Sequence, residues 1–227
     1  MHVDTPIDEV VQAIEKYDLV AIPVIDSIGR LVGQITVDDV MDEVREQSER
    51  DYQLASGLSQ DVETDDNVFR QTTARLPWLI IGMLGGIGNS MILGNFDATF
   101  AAHPEMALYI PLIGGTGGNV GTQSSALIVQ GLANSSLDSK NTLKQVAKEA
   151  VVALINATII SLLVYTYNFI RFGAMATVTY SVSISLFAVV MFASIFGTLV
   201  PMTLERLKID PAIATGPFIA ITNDIIG

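Results

Sequence analysis

Asp224 is the residue of this 227-residue sequence whose surroundings most strongly suggest chemistry. It directly follows an uncharged stretch, Pro211–Asn223, and Asp210 can cap a helix that begins at Pro211. At about 1.5 Å per residue, Asp224 would lie about 20 Å along that helix. An ionised carboxylate at such a depth costs at least about 2.5–3.5 kcal/mol against lipid, so it should face a partner or a wet pathway. A cation is the natural partner, and a protonated Asp hydrogen-bonded to Ser or Thr is the alternative.

A second candidate is the glycine-rich run Gly114–Gln123, which carries five glycines within eight residues. Each glycine would destabilise an ordinary helix by about 1 kcal/mol relative to Ala. Such a run makes sense where backbones approach closely or where carbonyl groups face a cavity. Asn119, Thr122 and Gln123 add amide and hydroxyl oxygens, which suit a hard cation or its waters. Both interpretations, a pore lining and tight helix packing joined by polar side chains, are open at this point.

Acidic residues crowd the first third of the chain. Residues 1–66 hold 17 Asp and Glu against 4 Lys and Arg, whereas residues 67–227 hold 7 and 8. Asp39, Asp42, Glu43 and Glu46 fall within two turns of one predicted helix. Divalent ions would screen their mutual repulsion, so this cluster could sense such ions. A solvated acidic face is the alternative.

Five uncharged stretches must position these groups in a membrane. About 20 apolar residues span a bilayer core, so the first four stretches each predict a transmembrane helix. The fifth is shorter, and we expect a fifth helix that is truncated. The predicted fold is therefore an all-α polytopic membrane domain with five helices per subunit. The stretches are Leu76–Leu93, Met106–Leu137, Ala150–Ile170, Phe172–Leu204 and Pro211–Asn223.

Basic residues between these stretches predict the orientation. One side of the membrane carries only Arg171, and the other carries seven basic residues: Arg70, Arg75, Lys140, Lys144, Lys148, Arg206 and Lys208. This asymmetry places the acidic head in the cytoplasm, with the helices in the plasma or inner membrane.

Composition argues against several functions. The chain has no cysteine, which excludes a disulfide scaffold, a thiolate nucleophile and a Cys-based metal site. It has no basic cluster to bind nucleic acid. With two histidines and no nucleophile–base constellation, an enzyme is the least favoured class.

The head has the pattern of a small α/β unit. Thr5 and Pro6 predict the start of a helix, with Pro6 at its first position. Ala21–Ile25 and Leu31–Thr36 predict a β-hairpin. Thr36 can cap the helix that follows, and beyond its apolar stripe a polar segment to residue 60 is either a solvated helix or a linker.

These patterns meet in one known family. The run YDLVAIPVIDSIGRLVGQITVDDVMDEV resembles the closing half of a CBS domain. The runs PLIGGTGGNVGTQSSALIVQGLA and IDPAIATGPFIAITNDIIG resemble the second and fifth membrane helices of the MgtE family of magnesium channels. The resemblance implies a partial CBS domain over 1–45, a connecting helix or linker over 46–70 and a pore domain over 71–227. It also implies a fragment that lacks the family's amino-terminal helical domain and first CBS half.

The resemblance implies a homodimer whose pore lies on the two-fold axis and conducts Mg²⁺. One carboxylate from each subunit would match the charge of one divalent ion, which should stay largely hydrated. The pore residues that it implicates are Asp224, Gly118, Asn119, Thr122 and Ala220.

The same resemblance implies regulation by cytosolic Mg²⁺ at acids of the head, and a nucleotide-ribose position that makes ATP a candidate ligand. The implied sensor residues are Asp8, Asp18, Asp39, Asp42 and Glu43, and the implied nucleotide residues are Thr36 and Asp39. The alternative function is a secondary divalent-cation transporter coupled to protons or sodium, with Asp224 as a titrating carrier. A membrane-anchored nucleotide sensor without a pore would leave Asp224 unexplained.

Overall fold

A computed structural model of the chain describes residues 1–133, 142–173 and 176–226. The chain divides into two compact units, Met1–Tyr52 and Gln53–Gly227. The division falls inside a helix, and each unit is described by itself.

The first unit is built on an antiparallel hairpin. Its elements are α1 (Ile7–Tyr17), β1 (Ala21–Ile25), β2 (Leu31–Thr36) and the first part of α2 (Val37–Ala55). Asp26 shapes the hairpin turn, because its carboxylate accepts hydrogen bonds from the N–H groups of Ile28 (3.0 Å) and Arg30 (2.9 Å). Both strands lie where the sequence predicted them, so the hairpin is confirmed. The core of the unit consists of Val10, Ile14, Ile22 and Val40.

The start of α1 differs from the prediction. Pro6 precedes the first helical residue, Ile7, and its extended backbone (ψ 142°) delays the helix by one position. The hydroxyl oxygen of Thr5 accepts a hydrogen bond from the His2 N–H (3.2 Å), so this hydroxyl holds the preceding turn.

Helix α2 begins as predicted and continues further than its apolar stripe. The Thr36 hydroxyl accepts from the Asp39 N–H (3.4 Å), and the Asp39 carboxylate accepts from the Thr36 N–H (2.8 Å). This reciprocal pair caps the helix. Beyond Arg45, an ion pair one turn apart joins Arg45 to Glu49 (2.9 Å), and the helix runs on to Ala55. Of the two possibilities for this polar segment, a helix is therefore correct as far as Ala55.

The second unit is helical throughout its regular elements. Three of its described helices are long and apolar enough to cross a membrane: α3, residues Leu143–Phe172 of α7, and α8. Helix α6 has 24 residues, but its glycines and amides make it less apolar, and α9 has 11 residues. The elements are α3 (Val68–Gly94), α4 (Asp97–Ala102), α5 (Pro104–Ala107), α6 (Ile110–Ala133), α7 (Thr142–Phe172), α8 (Thr177–Arg206), a 3₁₀ turn (Pro211–Ala214) and α9 (Gly216–Ile226).

Helix α8 forms the centre of this unit and packs against α6 and α7. Ala157, Leu186 and Val190 are fully buried in one cluster between α7 and α8. The contact with α6 is closer, because a Cβ atom on Gly117 would lie only 2.7 Å from Val189 Cγ1. Small residues on α6 therefore permit a backbone approach that larger side chains would prevent.

The last helix starts later than predicted. Asp210 does act as a cap, since its carboxylate accepts from the Ala212 N–H (2.8 Å), but it caps the 3₁₀ turn. Thr215 then takes an extended conformation (φ −87°, ψ −159°), which interrupts helical hydrogen bonding. Helix α9 begins at Gly216, so Asp224 lies about 12 Å along it, where the sequence predicted about 20 Å.

Candidate functional site

Asp224 lies on a seam between α6 and α9 that glycines make possible. A Cβ atom on Gly114 would come within 3.1 Å of Asp224 Oδ1. One turn along α6, a Cβ atom on Gly118 would lie 3.9 Å from Ala220 Cα. The two helices therefore run in opposite directions along this seam, with Gly114 beside Asp224 and Gly118 beside Ala220.

A cavity of about 340 Å³ opens beside the Asp224 carboxylate. Its polar side chains are Asp224 from α9 and Asn89 from α3, and the rest of its lining is backbone and aliphatic. The carboxylate is exposed in the single chain. An exposed carboxylate next to an amide, on helices of a membrane unit, can bind a hydrated hard cation. The lining residues are Asn89, Leu93, Ile110, Pro111, Ile113, Gly114, Gly115 and Asp224.

The glycine-rich run Gly114–Gln123 is a continuous part of helix α6. Helix α6 passes through all of it because α8 and α9 pack closely on its glycines, which outweighs their low helix propensity. A helix engages its carbonyls in its own hydrogen bonds, so these groups are less available to an ion than in a turn.

The predicted pore residues are only partly brought together. Gly114, Gly118 and Thr122 recur every four residues and so share one face of α6. Asn119 is exposed on the neighbouring strip, one turn after Gly115, and Thr122 is half-buried. Gly118 and Ala220 are adjacent, with Asp224 one turn of α9 away.

The predicted sensor acids lie in or next to α1 and α2 of the first unit. Asp18 ends α1 in a left-handed conformation (φ 52°), Asp42 is exposed on α2, and Glu43 pairs with Arg50 (3.1 Å). The side chain of Asp8 lies outside what the structure describes. Across residues 1–133, 142–173 and 176–226, no three His, Cys, Asp or Glu side chains form a group that could hold a metal ion.

Thr36 and Asp39, the predicted nucleotide residues, bind each other. The Thr36 hydroxyl donates to Asp39 Oδ2 (2.6 Å), which also accepts from the Thr36 N–H (2.8 Å). The hydrogen bond from the Thr36 hydroxyl, and to a smaller extent the one from its N–H, lower the pKa of the Asp39 carboxyl below its ordinary value. The geometry thus accounts for both residues as a helix cap.

Sequence reasoning missed the carboxylate of Glu149. It accepts hydrogen bonds from the hydroxyl of Ser124 on α6 (2.7 Å) and from the hydroxyl of Ser194 on α8. The signal was present, because Glu149 is a lone acid directly before an apolar stretch.

Sequence reasoning also missed Asn223. Asn223 is fully buried next to Asp224, and its amide donates to the Gly117 carbonyl (3.1 Å). An amide beside an intramembrane acid, with glycines on the facing helix, was the available signal.

Two family models match the sequence of this chain. The sequence model of the MgtE family, described as divalent cation transporters, matches residues 110–227, which include α6 and α9. The CBS domain model matches residues 1–46.

Three curated relatives are similar along almost the whole chain. The magnesium transporter MgtE of Bacillus subtilis is 33% identical over 219 residues, which cover 96% of this chain and 48% of the relative. That of Thermus thermophilus is 34% identical over 230 residues, covering 99% and 50%. That of Enterococcus faecalis is 29% identical over 231 residues, covering 99% and 49%. The chain spans about half the length of these relatives.

The family model matches more than half of the chain and includes the two helices that carry the glycine seam and Asp224. The chain therefore belongs to the MgtE family of divalent cation transporters.

Proposed function

We propose that this chain forms the pore of a magnesium-selective channel at a homodimer axis, where Asp224 of both subunits holds a hydrated Mg²⁺. One observation carries the proposal: an exposed carboxylate on a membrane unit, set against the glycine backbone of α6 and beside an open cavity. The relatives' printed names, magnesium transporters, support Mg²⁺ as the ion.

Five helices per subunit form the membrane domain in this proposal, and four of them cross the bilayer. Helices α3, α7 and α8 have the length and apolar composition for lipid contact. Helix α6, at about 36 Å, is long enough to span, and its polar residues suit a pore lining. Helix α9 is the fifth, and its 11 residues, about 17 Å long, enter the bilayer without crossing it. Residues 1–45 then form the partial CBS domain, 46–70 the connecting segment and 71–227 the pore domain.

The charge at the axis favours a divalent ion. Two Asp224 carboxylates balance one Mg²⁺, and Mg²⁺ sheds its waters reluctantly. The open cavity beside each carboxylate leaves room for the water shell. Selectivity would come from cavity size and oxygen placement.

The cytoplasmic head senses Mg²⁺ in this proposal. The described acids of the head form no group of three that could hold a metal ion, so ions would bind between acids of two subunits and thereby close the pore. The cytoplasmic position is supported by the seven-to-one distribution of basic residues. ATP at Thr36 and Asp39 would have to compete with their mutual hydrogen bonds.

Electrophysiology of the purified protein in planar bilayers tests the channel. We expect Mg²⁺ currents that grow linearly with voltage and do not need a pH or sodium gradient. Saturable uptake that stops when the gradient is dissipated would contradict a channel and favour the coupled transporter, with Asp224 as the titrating group.

A further inference from the structure

We propose that Glu149 is a positioning residue that fixes the rotation of the glycine-rich helix α6. It does so on the buried face of α6, where it joins α6 to α7 and α8. That the outward face of α6 lines a pore rests on the proposed function, whereas the contacts from which this inference is argued do not depend on it.

Three oxygen atoms from three helices meet at this point. Glu149 Oε1 on α7 accepts from Ser124 Oγ on α6 (2.7 Å) and from Ser194 Oγ on α8. The two serine oxygens lie 3.0 Å apart. Both serines are almost completely buried, with 4% and 2% of their surface exposed. One carboxylate oxygen thus ties α6 and α8 to α7.

The buried face of α6 is made mostly of small residues, and the partly buried Ile113 and Val120 add packing against the cluster of α7 and α8. The residues of that face are Gly117, Gly121, Ser124, Ser125 and Ile128, of which only Ile128 is large. Where α6 meets α8, the Gly121 backbone lies against Gly197. A seam of small residues allows close approach but offers few side chains that would resist a turn about the helix axis.

The carboxylate of Glu149 can fix the rotation of α6 about its axis, which a seam of small residues does not. Hydrogen bonds to an ionised acceptor are shorter and stronger than those between neutral groups. Helices α6, α7 and α8 contain two carboxylates, and the other, Glu205, lies in the last turn of α8. A carboxylate that is partly buried between helices is costly unless hydrogen bonds compensate, and the two serine hydroxyls supply these bonds.

Holding Ser124 inward fixes where the other residues of α6 point. At about 100° per residue, Thr122 lies on roughly the opposite side of the helix from Ser124. Ile128, one turn after Ser124, shares its buried side and is 1% exposed. If Glu149 releases Ser124, α6 should turn, Thr122 should lose its exposure and Ile128 should gain some.

Substituted-cysteine labelling measures this rotation directly, because the chain contains no cysteine of its own. Thr122→Cys and Ile128→Cys are introduced separately into the full chain in liposomes and labelled with a small hydrophilic methanethiosulfonate. In Glu149→Ala, we expect labelling of Thr122→Cys to slow and that of Ile128→Cys to rise. Each should change by about tenfold, as loss of one hydrogen bond to a charged group would give. Glu149→Gln keeps an acceptor oxygen and should restore most of the parental pattern.

Two further variants separate rotation from general loosening. Ser124→Ala removes only the Ser124 hydroxyl and should change both labelling rates in the same way as Glu149→Ala. It therefore tests the inference even if Glu149→Ala fails to fold. Ser161→Ala removes a hydrogen bond between α7 and α8, from the Ser161 hydroxyl to the Ser183 carbonyl (2.6 Å), and should change neither labelling rate.

The outcomes are distinct. Unchanged labelling in both Glu149→Ala and Ser124→Ala, or an equal rise at both cysteines, would overturn the positioning role. If Thr122→Cys is unreactive in the parent chain, the proposed pore face is wrong. In that case Ile128→Cys still decides the role of Glu149, because its labelling should rise in Glu149→Ala and Ser124→Ala but not in Ser161→Ala.

Discussion

The side-chain amide of Asn223 donates a hydrogen bond to the backbone carbonyl of Gly117 across 3.1 Å. It joins α9 to α6 at the position next to Asp224. Asn223 is fully buried, and its Oδ1 has no hydrogen-bond partner in the described part of the chain. Adjacent residues of α9 thus have different roles: Asn223 binds α9 to α6, and Asp224 presents its carboxylate at the cavity.

Asn223→Leu should separate these two effects. Leu has a similar volume to Asn. The loss of the amide hydrogen bond is partly offset because a buried oxygen without a partner is also removed, so the free energy of unfolding should change by less than about 2 kcal/mol. The Mg²⁺ concentration for half-maximal flux should rise, because Asp224 is no longer held. Thermal unfolding and liposome flux measure the two. Thr222→Val, which removes a hydroxyl bonded within α9 to the Phe218 carbonyl, is the control, and an unchanged half-maximal concentration in Asn223→Leu would contradict the role.

Neighbouring glycines of α6 should respond differently to alanine. A Cβ atom on Gly114 would press on Asp224 Oδ1 at 3.1 Å, whereas one on Gly115 would meet nothing within 4 Å. Both substitutions favour the helix by about 1 kcal/mol. We therefore expect Gly115→Ala to raise thermal stability with little change in flux, and Gly114→Ala to lower Mg²⁺ flux. Equal Mg²⁺ flux in the two variants would show that the contact between Gly114 and Asp224 does not affect transport.

Local patterns predicted the parts of this fold that depend on local interactions. The β-hairpin and the Thr36 cap follow from residues at most a few positions apart, and both are confirmed. The start of α9 was predicted wrongly because Asp210 and Pro211 do begin a helical turn. The interruption comes from the extended backbone of Thr215, which no propensity indicates.

The site was harder to predict because its contacts join distant residues. Five glycines are unfavourable in a helix, but packing against Val189 and Asn223 keeps them helical. Glu149 has its partners 25 and 45 positions away, so its neighbours in sequence gave no sign of them. Asp224 was found because a charge in an apolar stretch is visible without knowing its contacts.

Neutralising two acids of the head tests the proposed sensor. Asp39→Asn combined with Asp42→Asn removes two charges from the exposed start of α2, while Asn at position 39 can still accept the capping hydrogen bonds. More cytosolic Mg²⁺ should then be needed to inhibit flux. Asp38→Asn, an exposed acid in the same turn that is not among the proposed sensor residues, is the control. Identical inhibition curves for the double variant and the parent would contradict the sensor.

The cap of α2 should weaken in acid. Hydrogen bonds from the Thr36 hydroxyl and N–H lower the pKa of the Asp39 carboxyl from its ordinary value of 3.8. A carboxyl with a lowered pKa stabilises the fold above its ordinary pKa, and this contribution is lost as pH falls through the lowered value. Amide protection of the first turn of α2, measured by hydrogen exchange, should therefore hold from neutral pH to near 3.8 and fall below it. Thr36→Val removes the stronger bond, so the fall should begin at higher pH; an unmoved profile would mean that the hydroxyl contributes nothing.

Asp224 separates the channel from the coupled transporter. Asp224→Asn keeps the shape of the side chain but removes both charges from the proposed axis, so Mg²⁺ affinity and selectivity should collapse while folding survives. Asp224→Glu keeps the charge and lengthens each side chain by one methylene, which narrows the space for a hydrated ion, so a partial loss is expected. In a proton-coupled carrier, Asp224→Asn would imitate the protonated state, and uptake would lose its dependence on the pH gradient while Mg²⁺ still bound. Mg²⁺ flux into liposomes at two pH values, with competing Na⁺, measures these differences. Glu205→Gln removes an exposed charge of the same unit away from the cavity and should behave as the parent. If Asp224→Asn conducts Mg²⁺ normally and still excludes Na⁺, Asp224 is not the ion-binding residue of the pore.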